Sequence, residues 1–197
     1  MKVDFTTEEV KERLTNYNPL IAPPPAHLRP ASVLIPFYPD PKKGLSLIFM
    51  MRPDYPGRHG AQISFPGGKV DPEDKDELST ALRETEEEIG VDRQDIEVWG
   101  GLNTQQTMAS SYWITPFVGQ VPYPYELSPD PSEVDRLIII PFAHILHPKN
   151  STYGDFKFRG YEYPSYMYSY GNDVIWGLTA RILRSFISFL RTGREVI

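Results

Sequence analysis

Four glutamates stand within five residues near the middle of the chain: Glu84, Glu86, Glu87 and Glu88. On a helix that turns about 100° per residue, Glu84, Glu87 and Glu88 occupy positions i, i+3 and i+4, so their side chains form one cluster. Like charges at this spacing repel by roughly 0.2–0.5 kcal/mol per pair. Mg²⁺ is a hard ion that binds a few carboxylates and completes its shell with water and substrate phosphate. The cluster therefore indicates a divalent-metal site for a phosphorylated substrate.

Acidic runs on helices are also common as plain solvated faces, and three neighbouring features favour the metal site over that alternative. Gly67 and Gly68 permit backbone torsions that a β-carbon forbids, so they predict a tight turn just before the helix. Arg83 stands four residues before Glu87 and can pair with it or with another carboxylate. Gly90 suits the position that follows the last turn of a helix.

Gly68 and residues 83–91, RETEEEIGV, resemble the Nudix box, whose tail reads R-E-U-x-E-E-x-G-U with U a bulky apolar residue. Thr85 stands where an apolar residue is usual, and the glycine and the arginine are one residue further apart than in the family. The first acid of the motif is therefore either Glu73 or Asp74. The resemblance implies an enzyme that uses Mg²⁺ or Mn²⁺ to hydrolyse the pyrophosphate bond of a nucleoside diphosphate derivative.

The resemblance also implies a role for each residue of the motif. Glu84, Glu87 and Glu88 would be catalytic residues that ligate the metal, and the carbonyl of Gly68 would join the metal shell. Arg83 would belong to the catalytic group by orienting a glutamate rather than by touching the substrate.

The general base stays open between a glutamate of the box and a carboxylate of the loop that precedes a later strand. Glu126 and Glu133 are the candidates in that loop. Glu133 is favoured because it resembles an acidic position of coenzyme A pyrophosphatases.

The segment before the glycine pair narrows the choice of substrate. Residues 52–68, RPDYPGRHGAQISFPGG, resemble the signature of the coenzyme A pyrophosphatase subfamily, and residues 175–180 resemble its final helix. The resemblance implies cleavage of coenzyme A or acyl-coenzyme A to 3′,5′-ADP and (acyl-)4′-phosphopantetheine. The implied substrate-binding residues are Arg52, Arg58, His59 and Gln62.

One departure bears on that specificity. Gly57 replaces a second arginine of the signature, and an arginine fork would be a natural partner for the 3′-phosphate of coenzyme A. Arg58 is adjacent, but a shift of one residue along a strand reverses the face that a side chain occupies. The alternatives are therefore a Nudix hydrolase for ADP-ribose or dinucleotides, and a non-catalytic Nudix-like module that binds a nucleotide.

The surrounding sequence predicts strands that flank the acidic helix and a final helix, which indicates a mixed β-sheet between helices. Together with the resemblance, this gives an α+β fold, a Nudix-like α/β/α sandwich. The expected elements are a helix at 6–16, a hairpin of 31–38 and 45–52, strands at 62–65, 95–102, 112–121 and 134–140, a hairpin within 151–170, and a final helix capped by Asn172 or Asp173. We expect one domain over 1–197, with an N-terminal helix and proline-rich arm at 1–30, the Nudix box at 67–91 and the C-terminal helix at 172–193.

Composition restricts the remaining choices. The 197 residues include no cysteine, which excludes disulfides, thiolate metal sites and cysteine nucleophiles. A net charge of −6 argues against non-specific nucleic-acid binding. No apolar run approaches the roughly 20 residues that a membrane span needs. We therefore expect a cytoplasmic enzyme with a small, coenzyme A-like nucleotide substrate and neither nucleic-acid nor membrane partners; a homodimer is compatible with the sequence.

Overall fold

A computed structural model describes residues 4–54, 61–107 and 111–196. Within them, the chain forms a large sheet, a small sheet and four α-helices. The elements in chain order are α1 (Thr7–Thr15), β1 (Arg29–Asp40), β2 (Gly44–Met51), β3 (Ile63–Ser64), β4 (Gly67–Lys69), α2 (Glu77–Ile89), β5 (Glu97–Gly101), β6 (Gln105–Gln106), β7 (Tyr112–Gln120), β8 (Arg136–Pro141), α3 (Phe142–Leu146), a 3₁₀ turn (Pro148–Asn150), β9 (Ser151–Phe158), β10 (Tyr161–Tyr170), β11 (Asp173–Ile175) and α4 (Gly177–Thr192). None of the described helices has the length and apolar character needed to cross a membrane.

The large sheet is mixed, as the sequence predicted. In the described residues it has eight strands with the central order β3-β2-β1-β7-β5, while β4, β6 and β8 pair with β1, β7 and β2. Strands β1 and β7 run parallel, from Arg29 opposite Tyr112 to Phe37 opposite Gln120. The other pairings of this sheet are antiparallel.

Alternate residues of β1 pack on opposite faces of the sheet, because successive side chains of a strand point to opposite sides. Leu34 joins the apolar cluster that contains Ile89 of α2. Phe37 joins the larger cluster on the other face, where its ring lies 6.0 Å from that of Phe186 in α4. A sheet covered by helices on both faces confirms the predicted α/β/α sandwich.

The predicted start of the C-terminal helix at 172 is wrong, because α4 begins at Gly177. Asp173 opens strand β11, which pairs with β10, and its carboxylate contacts the guanidinium of Arg136 on β8. An aspartate before an apolar helical pattern resembles an N-cap, but here its side chain is used in a long-range ion pair. Trp176 occupies the N-cap position instead, without a capping side-chain hydrogen bond.

A carboxylate near the C-terminus joins three distant segments. The Oε1 atom of Glu195 accepts hydrogen bonds from the Tyr17 hydroxyl at 2.9 Å and from the Asn103 N–H at 2.7 Å. Its Oε2 atom accepts one from the Ser185 hydroxyl at 2.8 Å. Burial and this carboxylate raise the pKa of Tyr17 to about 12. The contacts hold α4 against the segments that follow α1 and β5.

We expect Glu195→Ala to lower the free energy of unfolding by about 1–3 kcal/mol, because hydrogen bonds to a charged group are lost and their donors are left half-buried. Urea unfolding measures the change. Glu162→Ala is the control, since Glu162 pairs with Lys157 in solvent and should cost less than about 1 kcal/mol. Equal losses in the two variants would contradict the role of Glu195.

Candidate active site

Helix α2 carries the acidic cluster and is fixed at both ends. The Asp76 carboxylate accepts from the Ser79 N–H at 2.7 Å, and the Ser79 hydroxyl accepts from the Asp76 N–H at 3.0 Å, which forms a capping box. At the other end Gly90 has a φ of 71°, in the left-handed region that favours glycine. The fixed helix turns Glu88 inward, with 1% of its side chain exposed, and Glu87 outward, with 56% exposed.

Glu88 is held by two donors from the strand side of the site. Its Oε2 accepts a 2.7 Å hydrogen bond from the Gly67 N–H, and its Oε1 accepts a 3.3 Å bond from Nη2 of Arg52. The same Nη2 lies 3.3 Å from the Gly67 carbonyl oxygen. Arg52, at the end of β2, therefore belongs to the site through Glu88.

The carboxyl groups of the site are harder to ionise than free ones, despite these donors. Burial raises the pKa of Glu88 to about 8, although Arg52 and the Gly67 N–H act in the opposite direction. Burial also raises the pKa of Glu84, against the effect of neighbouring Arg83. Glu133 lies close enough to raise the pKa of both glutamates further. An additional cation at this position would stabilise the ionised carboxylates.

Arg83 uses all five of its N–H donors inside the site. Nε and Nη2 each donate to one oxygen of Asp74, both at 2.9 Å, and Nη2 also donates to the Lys69 carbonyl at 3.1 Å. Nη1 donates to Glu84 and to Glu87, both at 3.0 Å. These contacts support a role in which Arg83 orients glutamates rather than binding substrate, and that role stays a prediction.

Of the two acids between which the sequence left the first motif position open, Asp74 is the one that contacts Arg83. The fork of Arg83 lowers the pKa of Asp74 well below its usual range. The Thr80 hydroxyl and the Asp71 N–H also donate to this carboxylate, both at 2.8 Å. Glu73 is exposed to solvent. The sequence signal that could have selected Asp74 is the Asp71–Asp74 turn, which directs this side chain toward the helix.

The two glycines are required for different reasons. Gly67 has a φ of 148°, and a β-carbon there would lie 2.3 Å from the Ser32 carbonyl oxygen. Gly68 has no such backbone conflict, but its β-carbon would lie 2.4 Å from the carboxylate of Glu84. Gly67 thus lets strand β4 pack on β1, and Gly68 lets a glutamate approach the backbone.

Glu133 reaches the site because its loop is pinned to α2 and β2. The Asp130 N–H donates to the Glu88 carbonyl at 3.0 Å, and the Asp135 N–H donates to the Met51 carbonyl at 2.8 Å. Glu133 itself is exposed. The loop therefore places an accessible carboxylate near the buried ones, and the role of Glu133 as general base stays a prediction.

Of the remaining substrate-binding candidates, the structure describes only Gln62. Gln62 is half-buried beside β3, and its carbonyl oxygen accepts from the Arg52 N–H at 3.0 Å. Arg58 and His59 lie outside the described residues. Gln62 thus adjoins Arg52 through the backbone, and its contact with substrate stays a prediction.

The donor chemistry fits a hard divalent cation, because carboxylate and carbonyl oxygens are the ligands that Mg²⁺ and Mn²⁺ prefer. Among residues 4–54, 61–107 and 111–196, no three acids or histidines converge as a ready metal-binding group. Glu84 and Glu87 are bound to Arg83, and Glu88 is bound to Arg52. The assignment of Glu84, Glu87, Glu88 and the Gly68 carbonyl as ligands therefore stays a prediction.

Alanine at the two glycines should separate folding from metal binding. Gly68→Ala displaces only the flexible end of Glu84, so we expect near-normal stability and about 10- to 100-fold weaker Mn²⁺ binding in calorimetry. Gly67→Ala meets rigid backbone at a positive φ, so we expect about 2 kcal/mol or more of destabilisation in urea unfolding. Unchanged Mn²⁺ affinity in Gly68→Ala, with the fold intact, would contradict the ligand role of Glu84.

Without metal, we expect the free energy of unfolding to fall as pH rises from about 4.3, the ordinary pKa of glutamate, to about 8. In this window folded Glu88 keeps its proton while the unfolded chain has lost it, so raising the pH favours unfolding. Glu88→Gln should flatten the fall, measured by urea unfolding in chelator. Glu86→Gln is the control, because Glu86 pairs with Arg93 on the outer side of α2. A slope that persists in Glu88→Gln would refute the buried, protonated Glu88.

Comparison with known proteins agrees with this geometry. The model of the NUDIX domain matches residues 28–159. Nudix hydrolase NudL of Photorhabdus laumondii is 36% identical over 167 residues, which cover 83% of this chain and 88% of the relative. NudL of Yersinia pestis (strain Pestoides F) is 38% identical over 156 residues, which cover 79% of this chain and 77% of the relative. Among solved structures, a binary complex of the Ap4A hydrolase of C. elegans aligns with a TM-score of 0.48 and 19% identity, over 56% of this chain and 78% of that one. By the domain match and these relatives, the chain belongs to the NUDIX family and is a Nudix hydrolase.

Proposed function

We propose that this Nudix hydrolase cleaves the pyrophosphate bond of a nucleoside diphosphate derivative with the help of a divalent cation, Mg²⁺ or Mn²⁺. The observation that carries the proposal is the crowding of carboxyl groups beside the glycine turn, where the Gly67 N–H and Arg52 hold Glu88 and Arg83 holds Glu84. Glu84 and Glu88 both have raised pKa values, because Glu88 is buried and Glu84 is half-buried, and the charge of Glu133 adds to both effects. Such an arrangement destabilises the ligand-free protein and favours binding of a cation.

The residues of the site have two kinds of proposed role: some orient the glutamates, and others would bind the cation. Arg83 and Asp74 form a fixed ion pair that orients Glu84 and Glu87, while Arg52 and the Gly67 N–H orient Glu88. Glu84, Glu87, Glu88 and the Gly68 carbonyl would hold the cation. A bound divalent cation would lower the pKa of a water molecule and neutralise charge on the phosphoryl oxygens.

Glu133 is the proposed general base. In the hydrolysis, the water oxygen bonds to one phosphorus, the bridging P–O bond breaks, and the proton of the water passes to a carboxylate. Glu133 is exposed, yet close enough to Glu84 and Glu88 to affect both carboxylates. It can therefore exchange a proton with solvent, whereas Glu88 is buried and bound by two donors.

Coenzyme A or acyl-coenzyme A is the proposed substrate, on the resemblance of residues 52–68 to the coenzyme A signature. The Arg52 N–H donates to the carbonyl of Gln62, which stands just before the segment that leads to the glycine turn, and Arg52 contacts Glu88 directly. ADP-ribose or a dinucleotide is the second candidate, because Gly57 lacks the guanidinium that would suit a 3′-phosphate.

Product analysis tests both the reaction and the substrate. We expect the enzyme with Mn²⁺ to convert coenzyme A into 3′,5′-ADP and 4′-phosphopantetheine, identified by mass spectrometry, in preference to cleaving ADP-ribose or dinucleotides. Glu88→Gln should lower kcat about 100-fold or more, because it removes a negative ligand while keeping the side chain's size. Glu86→Gln on the outer face of α2 should retain activity.

The outcomes separate the alternatives. Cleavage of ADP-ribose or a dinucleotide without cleavage of coenzyme A would keep the hydrolase and replace the substrate. Nucleotide binding without turnover of any of them would favour the non-catalytic module. Full activity of Glu88→Gln would contradict the assignment of this residue.

A further inference from the structure

Of the two arginines nearest the acidic cluster, Arg83 is fully occupied by the protein itself and Arg52 is occupied through Nη2. Arg83 directs its five N–H groups at Asp74, Lys69, Glu84 and Glu87, and Arg52 directs Nη2 at Glu88 and Gly67. The chain as a whole has a net charge of −6. A phosphate of the substrate that lies away from the cation would therefore gain from positive charge elsewhere in the protein.

Arg181 in α4 is a guanidinium with uncompensated charge. Its Nε donates to the Gln105 side-chain oxygen at 3.2 Å, and its Nη2 donates to the Gln106 carbonyl oxygen. Both partners are neutral, and among the described residues no carboxylate pairs with Arg181 and nothing accepts from its Nη1. Burial lowers the pKa of this guanidinium. Gln105 is only 7% exposed, so it fixes the orientation of the fork.

The sheet places Arg181 at the same end of the molecule as the acidic cluster. Gln105 on β6 is opposite Ile114 on β7, which is opposite Ala31 on β1, which is opposite Lys69 on β4. Neighbouring strands lie about 4.8 Å apart, so three steps separate the backbones of Gln105 and Lys69 by about 14 Å. The Lys69 carbonyl accepts from Arg83, and therefore the supports of Arg181 and Arg83 lie in one row across the sheet.

A second contact ties the start of α4 to the glycine turn. The Thr179 hydroxyl donates to the Ile63 carbonyl at 3.0 Å, four residues before Gly67 in the chain. The helix that carries Arg181 is thus positioned against the strand that leads into the site. A nucleotide with its cleaved bridge at the acidic cluster can extend along this end of the sheet toward Arg181.

We propose that Arg181 binds a phosphomonoester of the nucleotide substrate, a phosphate outside the bridge that is cleaved. The inference deepens the proposed function and rests on it for the position of the nucleotide. An arginine fork suits the oxygens of a phosphate, and Nη1 supplies donors on the edge away from Gln105. Arg184, one turn further along α4, lies 3.8 Å over the ring of Tyr166, which makes it a matched control on the same helix.

The test compares two nucleotides that differ by one phosphate, 3′,5′-ADP and 5′-AMP, bound to the intact protein in calorimetry with Mg²⁺. We expect the wild type to bind 3′,5′-ADP more tightly. Arg181→Gln should weaken 3′,5′-ADP binding about tenfold or more and change 5′-AMP binding less than about twofold, because only the extra phosphate loses a charged donor. Arg181→Lys keeps the charge without the fork and should fall between these values. Arg184→Gln should leave the preference for 3′,5′-ADP unchanged.

Several outcomes would overturn the proposal. They are equal binding of the two nucleotides by the wild type, equal loss for both in the Arg181 variants, and no loss for either. Melting temperatures show whether each variant is folded. If Arg181→Gln unfolds, the binding of 3′,5′-ADP and 5′-AMP is compared in Arg181→Lys instead. Because no turnover is needed, an Arg181-dependent preference for 3′,5′-ADP in a protein that fails to cleave coenzyme A would sustain this inference while refuting the proposed substrate.

Discussion

Burial of the Glu88 carboxylate at the end of a helix is the constraint on which the site depends. Helix α2 has no basic residue in its last turn, although Glu86, Glu87 and Glu88 stand there. The C-terminal end of a helix carries partial negative charge, so acidic residues at this position are unfavourable. Removing one of them from water adds a desolvation cost, which the raised pKa of Glu88 expresses. The local sequence therefore lowers stability unless positive charge is bound.

The backbone of β4 holds the buried carboxyl group of Glu88 in a fixed position. Gly67 pairs with Val33 of β1, and without a side chain it packs against the neighbouring strand and directs its N–H at Glu88. The carboxylate is held by a donor of the sheet, while Arg83 and Asp74 hold the preceding turn of the helix from the other side. Preorganised groups of this kind lose little freedom when a ligand binds, which favours both affinity and catalysis.

The sequence predicted the elements that have a clear pattern of apolar residues. It did not predict several short strands that are too short to show such a pattern. Helix α2 has apolar residues at helical spacing and the β1–β2 hairpin has two apolar runs joined by a turn sequence, whereas strands β4, β6 and β11 have only two or three residues. Asp173 has the composition of a helix cap, but Arg136, remote in sequence, determines its use. The choice between Glu73 and Asp74 depended on the geometry of one turn. Arg181 was missed because a single arginine in an amphipathic helix usually faces solvent.

On the proposed function, hydrolysis and recognition of a phosphomonoester would lie in different parts of this chain. The acidic cluster falls within the matched residues 28–159, whereas Arg181 lies beyond them on the helix that covers the opposite face of the sheet. Arg181 contacts Gln105 and Gln106, and within the part of the chain that the structure describes it makes no hydrogen bond or ion pair with a carboxylate of α2. Effects of residues that share no partner and lie more than about 10 Å apart are usually additive. If Arg181 binds a phosphomonoester as proposed, substitutions at Arg181 would change which nucleotide binds while the charge balance around Glu88 stays the same.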